Sequence, residues 1–296
     1  MNTALVSVIV ATYRREAALR NAINSLIQQS YQNIEIVVVD DNAHEEWNKK
    51  VSDILSEFSI QNNITYIVNE TNQGSAKSRN TGIFAAKVQY ITFLDDDDVY
   101  LQEKVEAQLE DMIRTNADYG ITDLALYSMN DKLIEKRVRS YIQSSDLRML
   151  MRYHLMHHMT GTDTFMFKAD YLKKIGGFPL IDIGDEFYLM KEAILASGKF
   201  VYSNQCYLKA YVHVGENGGL SSGQAKIDGE NRLHEEKRKY YNYLSKKDVR
   251  YVEMRHYAVI TFAELRRKNY VSAVKNGVIS FYKSPVGLFN LIKGMK

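Results

Sequence analysis

The chain has 296 residues, 45% hydrophobic and 25% charged, with a formal net charge of +2, which describes a globular protein and excludes a disordered or collagen-like one. Cys206 is the single cysteine, so an intramolecular disulfide framework is excluded and a reducing compartment, the cytoplasm, is expected. The charge is lopsided: from Lys237 onward Lys and Arg outnumber Asp and Glu by 11, whereas the preceding residues carry a net −9, the pattern of a basic appendage on an acidic body.

Val6 to Val10 reads as a first strand, and its apolar run, Leu5 to Ala11, lacks a basic leader and is too short to span a bilayer. After the turn Ala11 to Arg15, apolar Ala18, Leu19, Ala22, Ile23, Leu26 and Ile27 recur at helical spacing. Ile34 to Val39 is a second strand, ending in Asp40-Asp41-Asn42, and a helix near Glu45 to Phe58 leads to a third strand, Ile64 to Val68. A loop, Asn69 to Gly74, and a helix, Ser75 to Ala86, precede a fourth strand that runs Ile91-Thr92-Phe93-Leu94 into Asp95-Asp96-Asp97-Asp98.

Four neighbouring carboxylates repel one another and need compensation. In an extended backbone Asp95 would share a face with Asp97, and Asp96 with Asp98. A hard divalent cation, Mg²⁺ or Mn²⁺, is the simplest counter-charge for such oxygen ligands. Capping of a helix that starts near Tyr100 would account for one or two of the four.

Strands alternating with helices predict an α/β protein with a mostly parallel central sheet flanked by helices, and ligands in such sheets bind beyond the strands' carboxyl ends. Those ends carry Thr12-Tyr13-Arg14, Asp40-Asp41 and Asp95 to Asp98. Neither G-x-G-x-x-G after the first strand nor G-x-x-x-x-G-K-[ST] occurs, which argues against Rossmann dinucleotide and P-loop chemistry.

Beyond Asp98 the pattern predicts a helix to about Asn116, a strand over Tyr119 to Tyr127, and a Met- and His-rich stretch from Met149 to Phe167. His154, His157 and His158 lack further ligands at metal-site spacing and read as packing or an acceptor-facing loop. Lys168 to Ile175 reads as a helix, Gly176-Gly177-Phe178-Pro179 as a tight turn, Phe187 to Ala196 as a helix, and Phe200 to Ser203 and Tyr207 to His213 as strands. Glu216 to Gly223 reads as a loop, and from about Asn231 the pattern is helical with breaks at Ser245, Asn269 and Ser284-Pro285. The expected organisation is a catalytic domain over 1–230 and a basic helical C-terminal extension over 231–296. Leu288, Phe289, Leu291 and Ile292 beside Lys293 and Lys296 leave two readings of that extension. One is peripheral contact with the inner face of a membrane, and the other is a hairpin packed on the catalytic domain.

Six ordered motifs resemble one family. They are Ser7 to Tyr13, Glu35 to Asn42, Asn72 to Gly82, Phe93 to Asp98, Gly176 to Pro179 with Gly184-Asp185-Glu186, and Tyr211-Val212-His213 with Leu220-Ser221. Together they resemble an inverting nucleotide-sugar glycosyltransferase of family 2 with the GT-A fold, over roughly Val6 to Ser222. The resemblance implies that Thr12, Tyr13, Arg14 and Asp41 hold the nucleotide, usually with uracil as its base, with Arg79 on the same side. It makes Asp95-Asp96-Asp97 the D-x-D motif, Asp96 facing the ribose and Asp97 ligating Mn²⁺ or Mg²⁺. His213 would touch the diphosphate or metal, and one of Asp185 and Glu186 would be the catalytic base. Ala11 stands where the family usually has Pro, Arg14 where it has Asn, and Asp185-Glu186 reverses the common Glu-Asp order. The implied activity is metal-dependent transfer of a sugar, from a UDP-sugar, to a hydroxyl of a saccharide or lipid-linked saccharide in surface polysaccharide synthesis. The alternatives are a non-catalytic sugar-nucleotide-binding subunit and a nucleotidyltransferase that forms sugar nucleotides; the latter's glycine-rich basic loop after the first strand is absent. No nucleic-acid-binding module is recognised.

Overall fold

A computed structural model describes residues 4–58, 63–181, 183–213 and 223–294. The elements in order are β1 (Val6–Thr12), α1 (Glu16–Ile27), β2 (Ile34–Asp40), α2 (Glu45–Phe58), β3 (Ile64–Val68), α3 (Ser75–Ala85), β4 (Tyr90–Phe93), β5 (Val99–Tyr100), α4 (Lys104–Thr115), β6 (Tyr119–Thr122), β7 (Leu124–Ser128) and β8 (Leu133–Arg137). There follow α5 (Leu147–His157), β9 (Phe165–Lys168), α6 (Ala169–Lys174), α7 (Asp185–Leu195), β10 (Phe200–Ser203), β11 (Leu208–Val212), α8 (Gly223–Arg238), α9 (Lys246–Arg266), α10 (Tyr270–Lys283) and α11 (Pro285–Gly294).

The chain divides into two compact units, Met1–Leu147 with Met159–Val212, and Arg148–His158 with His213–Lys296. The first contains a seven-stranded sheet in the order β10-β6-β9-β4-β1-β2-β3. Its β3, β2, β1 and β4 run parallel, and β9 is antiparallel to both β4 and β6. Consecutive residues of β1, from Val6 to Val10, are all buried, as expected of a strand covered on both faces. Val8 and Val10 join Leu19, Ile23 and Leu26 of α1 in one core. Ile9 points the opposite way, where α3 lies so close that a Cβ on Gly82 would stand 2.7 Å from its Cγ2. A second sheet has the order β5-β11-β7-β8.

The mostly parallel, helix-flanked sheet agrees with the α/β expectation, with three local differences. The single strand expected over Tyr119 to Tyr127 is two, because buried Asp123 interrupts the apolar run and β6 and β7 join different sheets. Phe165-Met166-Phe167 is a central strand, β9, hidden in the sequence by the Met- and His-rich residues before it. The aspartate run does not continue the strand: β4 ends at Phe93, and the Asp98 N–H donates to the Asp95 carbonyl at 3.1 Å. This turn places Asp95 beside Asp98, so the alternation expected of an extended chain does not hold. The helix that follows starts at Lys104, too far along for Asp97 or Asp98 to cap it.

The second unit is helical, and no helix among the described residues is long and apolar enough to cross a membrane. Its breaks fall where the sequence places them. Ser245 caps α9 in a reciprocal capping box with Asp248, Asn269 caps α10, and Pro285 opens α11. Helix α8, which spans the expected boundary at residue 230, belongs to this unit. Arg152 of α5 forks onto Asp248 with N···O distances of 2.9 and 2.8 Å. The loop expected over Glu216 to Gly223 and the Leu220-Ser221 motif lie almost wholly outside the described residues.

Candidate active site at the carboxyl edge of the central sheet

Three parallel strands deliver polar residues to one edge. At the end of β1 the Thr12 hydroxyl donates to Asp96 Oδ2 at 2.8 Å, and the Tyr13 N–H donates to the same oxygen at 3.1 Å. Thr12 is buried, whereas the Tyr13 ring is exposed with the Arg14 guanidinium 5.1 Å from its centroid. Arg14 adopts a left-handed φ of 54°, held by its N–H bond to Asn42 Oδ1 at 2.8 Å.

At the end of β2, Asp41 is buried and fully engaged. Its carboxylate accepts from Asn69 Nδ2, the Gln73 N–H and the Gly74 N–H, each at 2.8 Å. Asp41 therefore fixes the loop that leads into α3 rather than capping α2.

At the end of β4 two of the four aspartates, Asp96 and Asp97, share Arg15 as a partner. Asp95 pairs with Arg79 Nη2 at 2.6 Å, Asp96 lies 3.5 Å from Arg15 Nε, and Asp97 forms an ion pair with Arg15. Asp98 accepts the Tyr211 N–H of β11 at 2.8 Å. Burial and the nearby Asp97 raise Asp96 to about 7 against its hydrogen bonds from Thr12 and Tyr13. Carboxylate oxygens of Asp95, Asp98 and Asp163 lie within 4.8 Å of one another. Asp163 Oδ1 also accepts the Asp95 N–H at 2.6 Å. Burial, then the neighbouring negative charges, push Asp98 and Asp163 above the ordinary carboxylate range, and a hydrogen bond joins the two.

Beneath this turn lies a buried lysine. Lys104 Nζ donates to Thr92 Oγ1 at 2.7 Å and to the Tyr100 hydroxyl at 2.6 Å, and Tyr100 reaches the Asp163 carbonyl at 3.1 Å. Burial lowers the Lys104 pKa well below the usual lysine value, against the pull of Asp163.

Arg79 links the aspartate turn to the acidic pair. Its Nη1 lies 3.2 Å from Asp185 Oδ2, and its guanidinium packs over the Phe178 ring. Burial penalises the Arg79 cation, but Asp95, Asp185 and Glu186 outweigh that and raise its pKa. The Phe178 turn is clamped by Asn80, whose side chain donates to the Phe178 carbonyl at 2.7 Å and accepts its N–H at 2.8 Å. Gly177 has φ 71°, and a Cβ there would fall 2.4 Å from Asn80 Oδ1, so the clamp requires glycine.

Asp185 and Glu186 open α7, where the helix dipole favours negative charge. Their surroundings differ. Burial raises Asp185 to about 6, opposed by Arg79 and reinforced by Glu186. Both Glu186 oxygens are engaged by the preceding turn: Oε2 by the Gly161 N–H at 3.1 Å, and Oε1 by the Thr162 N–H at 3.1 Å and the Thr162 hydroxyl. His213 is exposed directly after β11, at the point where the second unit begins.

Thr12, Tyr13, Arg14, Asp41, Arg79, Asp95, Asp96, Asp97 and Asp185 thus share one sheet edge, with Glu186 behind the 161–162 turn. Sequence reasoning missed Asp163, Arg15 as the partner of Asp97, and Lys104. Asp163 had one weak signal, an acidic residue between threonines just before an aromatic strand. A lone lysine in the first turn of a helix carries none.

The model of Glycosyl transferase family 2 matches residues 7–176, more than half of the chain. A glycosyltransferase of Haemophilus influenzae described as uncharacterized is 36% identical over 129 residues, which cover 42% of this chain and 50% of that protein. The Escherichia coli UDP-Glc:alpha-D-GlcNAc-diphosphoundecaprenol beta-1,3-glucosyltransferase WfgD is 34% identical over 119 residues, covering 40% of this chain and 45% of its own. The chain spans about half the length of such curated relatives. Residues 1–349 of S. aureus TarS, solved with UDP-GlcNAc, superpose with a TM-score of 0.62 at 18% identity, covering 95% of this chain and 92% of that one. That likeness shows the GT-A fold. With the family model matched across the strands and loops that build this sheet edge, the chain belongs to glycosyl transferase family 2.

Proposed function

We propose that the protein transfers a sugar, with inversion, from a UDP-sugar to a hydroxyl of a saccharide or lipid-linked saccharide in surface polysaccharide synthesis, dependent on a divalent cation. The observation that carries this reading is the convergence of an exposed aromatic ring, buried hydrogen-bonding groups and an acidic turn at the carboxyl ends of β1, β2 and β4. WfgD, named as a UDP-glucose enzyme acting on a lipid-linked GlcNAc, and TarS, solved with UDP and UDP-GlcNAc, support a UDP-sugar donor. The Bacillus subtilis relative TuaG, named as a putative teichuronic acid biosynthesis glycosyltransferase, supports a polysaccharide role.

In this reading Tyr13 stacks on the base, Asp96 accepts from the ribose hydroxyls, and Asp41 shapes the flanking 69–74 loop. The acidic turn offers only hard oxygen donors, which fit Mn²⁺ or Mg²⁺. Asp98 and Asp163 answer one another through their shared hydrogen bond and two backbone N–H groups, so they stiffen the turn. Asp97, whose partner Arg15 is a partly exposed side chain, would ligate the cation together with Asp95, and His213, by the family resemblance, would serve the diphosphate or metal. A cation held by these residues would supply neutralisation of the charge on the leaving diphosphate.

Asp185 is the base. It takes the proton of the acceptor hydroxyl as that oxygen bonds the anomeric carbon and the bond to the diphosphate oxygen breaks. A pKa raised to about 6 keeps Asp185 ionised yet basic near neutral pH, whereas Glu186 is committed to the 161–162 turn. Arg79 holds Asp185 and Asp95 in register.

Nucleotide release from UDP-, GDP- and dTDP-sugars, with Mn²⁺, Mg²⁺ or chelator, tests this reading. Cation-dependent release from a UDP-sugar is expected. Failure to bind any donor, or release unaffected by chelator, would overturn it.

A further inference from the structure

Helix α10 packs on α9 by one face and leaves another bare. Val271, Val274, Val278 and Phe281 recur at three- and four-residue spacing, and all are exposed, Val271 at 84% and Phe281 at 59%. This stripe borders an apolar groove lined by Leu265, Ala273, Val274, Gly277, Val278 and Phe281. Helix α11 adds Val286, Phe289 and Ile292 on one side, also exposed, and Tyr270 and Tyr282 stand out at the two ends of α10. A bare apolar surface of this kind marks an interaction site.

The surrounding charge is of one sign. From Leu265 to position 296 the sequence has seven Lys and Arg and no Asp or Glu. Arg266, Lys268, Lys275 and Lys293 are exposed. The nearest preceding acids are already paired: Glu253 meets His234 Nε2 and Lys283 Nζ, each at 3.2 Å, and buried Glu264 meets Arg267 at 3.2 Å. Two copies of this face would bring like charges together around their apolar contact, which disfavours a homodimer.

We infer that α10 and α11 form a docking surface for an anionic lipid bilayer, with the valine and phenylalanine stripe entering the headgroup boundary and the Lys and Arg side chains meeting lipid phosphates. Apolar burial and cationic attraction act together in such interfacial helices, and each Lys or Arg near an anionic surface adds a further increment. The inference rests on the helical unit alone and does not depend on the transferase reading.

The test is co-sedimentation of the full chain with vesicles of phosphatidylcholine, with and without phosphatidylglycerol, at low and high salt. Binding to the anionic vesicles at least about tenfold stronger than to the neutral ones, and weakened by salt, is expected. Val274→Asp with Phe281→Asp should abolish it, and Arg266→Gln with Lys275→Gln and Lys293→Gln should remove the preference for anionic lipid. All five positions are exposed, and unchanged circular dichroism confirms folding of each variant. Equal binding to both vesicle types, binding that survives the Asp pair, or no vesicle binding overturns the inference. Self-association lost in the Asp pair would assign the stripe to a second copy, and retention of a purified acidic protein in place of vesicles would assign it to such a partner.

Discussion

The two units bury charge in opposite ways. In the sheet unit, five carboxylates, Asp95 to Asp98 and Asp163, crowd one turn, and Arg15 and Arg79 pair with only three of them. Burial, and after it their excess negative charge, raises the carboxylate pKa values of Asp96, Asp98 and Asp163. In the helical unit, Glu253 meets His234, Lys283 and the Tyr241 hydroxyl, and Glu230 lies against His256. Here their neighbours outweigh burial and hold Glu230 and Glu253 below the ordinary carboxylate value, while two histidines are lowered. Burial and the neighbouring His256 lower His234 to about 4, and burial with Arg255 and Arg152 does the same to His157. An under-compensated acidic turn invites a cation, whereas a neutralised interior leaves its surplus Lys and Arg for the surface.

The largest effect that would sharpen this contrast is on turnover. Asp97→Asn should lower metal-dependent transfer by roughly 10³-fold, since a cation contributes several kcal/mol of charge stabilisation; normal turnover in steady-state assays would break the contrast at its root. Asp185→Asn should cost about 10²–10⁴-fold in kcat with little change in donor KM. The wild-type rate should fall as pH drops through about 6, where Asp185 is protonated, and Glu186→Gln should preserve that limb. A pH profile that loses its acid limb only in Glu186→Gln would transfer the base to Glu186.

Arg79→Ala leaves the half-buried Asp185 and the more exposed Asp95 without their cation, and denaturant unfolding should show a loss of about 1–3 kcal/mol. The helical unit answers to pH in its own direction. Histidines held below their unfolded value remain neutral in the folded state, while the unfolded chain gains protons below about pH 6.5. Stability of α8 and α9 should therefore fall between about pH 6.5 and 4, and amide hydrogen exchange should show it there; protection unchanged at pH 5 would contradict the assignment. The smallest effect belongs to Asp163→Asn. An amide can still bond Asp98, so Mn²⁺ dependence should shift by less than about threefold, well under the 1.4 kcal/mol of a tenfold change.

Much of this was legible in the chain. Continuous β-branched runs marked β1 and β2 because a strand covered on both faces has no polar alternation to show. Ser245, Asn269 and Pro285 marked the helix breaks because capping chemistry is local. The clustering of Asp95 to Asp98 was visible as like charge, but their pairing was not, since period-two reasoning assumes an extended chain and this one turns. Asp163 and Lys104 escaped because their roles come from the turn before β9 and from a helix, α4, that meet only in the folded sheet. No local pattern records that meeting.

Calorimetric titration of UDP, with Mn²⁺ and with chelator, into wild type, Asp97→Asn and Asp163→Asn tests the central claim most directly. Mn²⁺ should tighten UDP binding to wild type and to Asp163→Asn, and leave Asp97→Asn unchanged. Mn²⁺-dependent tightening that persists in Asp97→Asn but vanishes in Asp163→Asn would place the cation on the Asp95, Asp98 and Asp163 cluster and contradict the account.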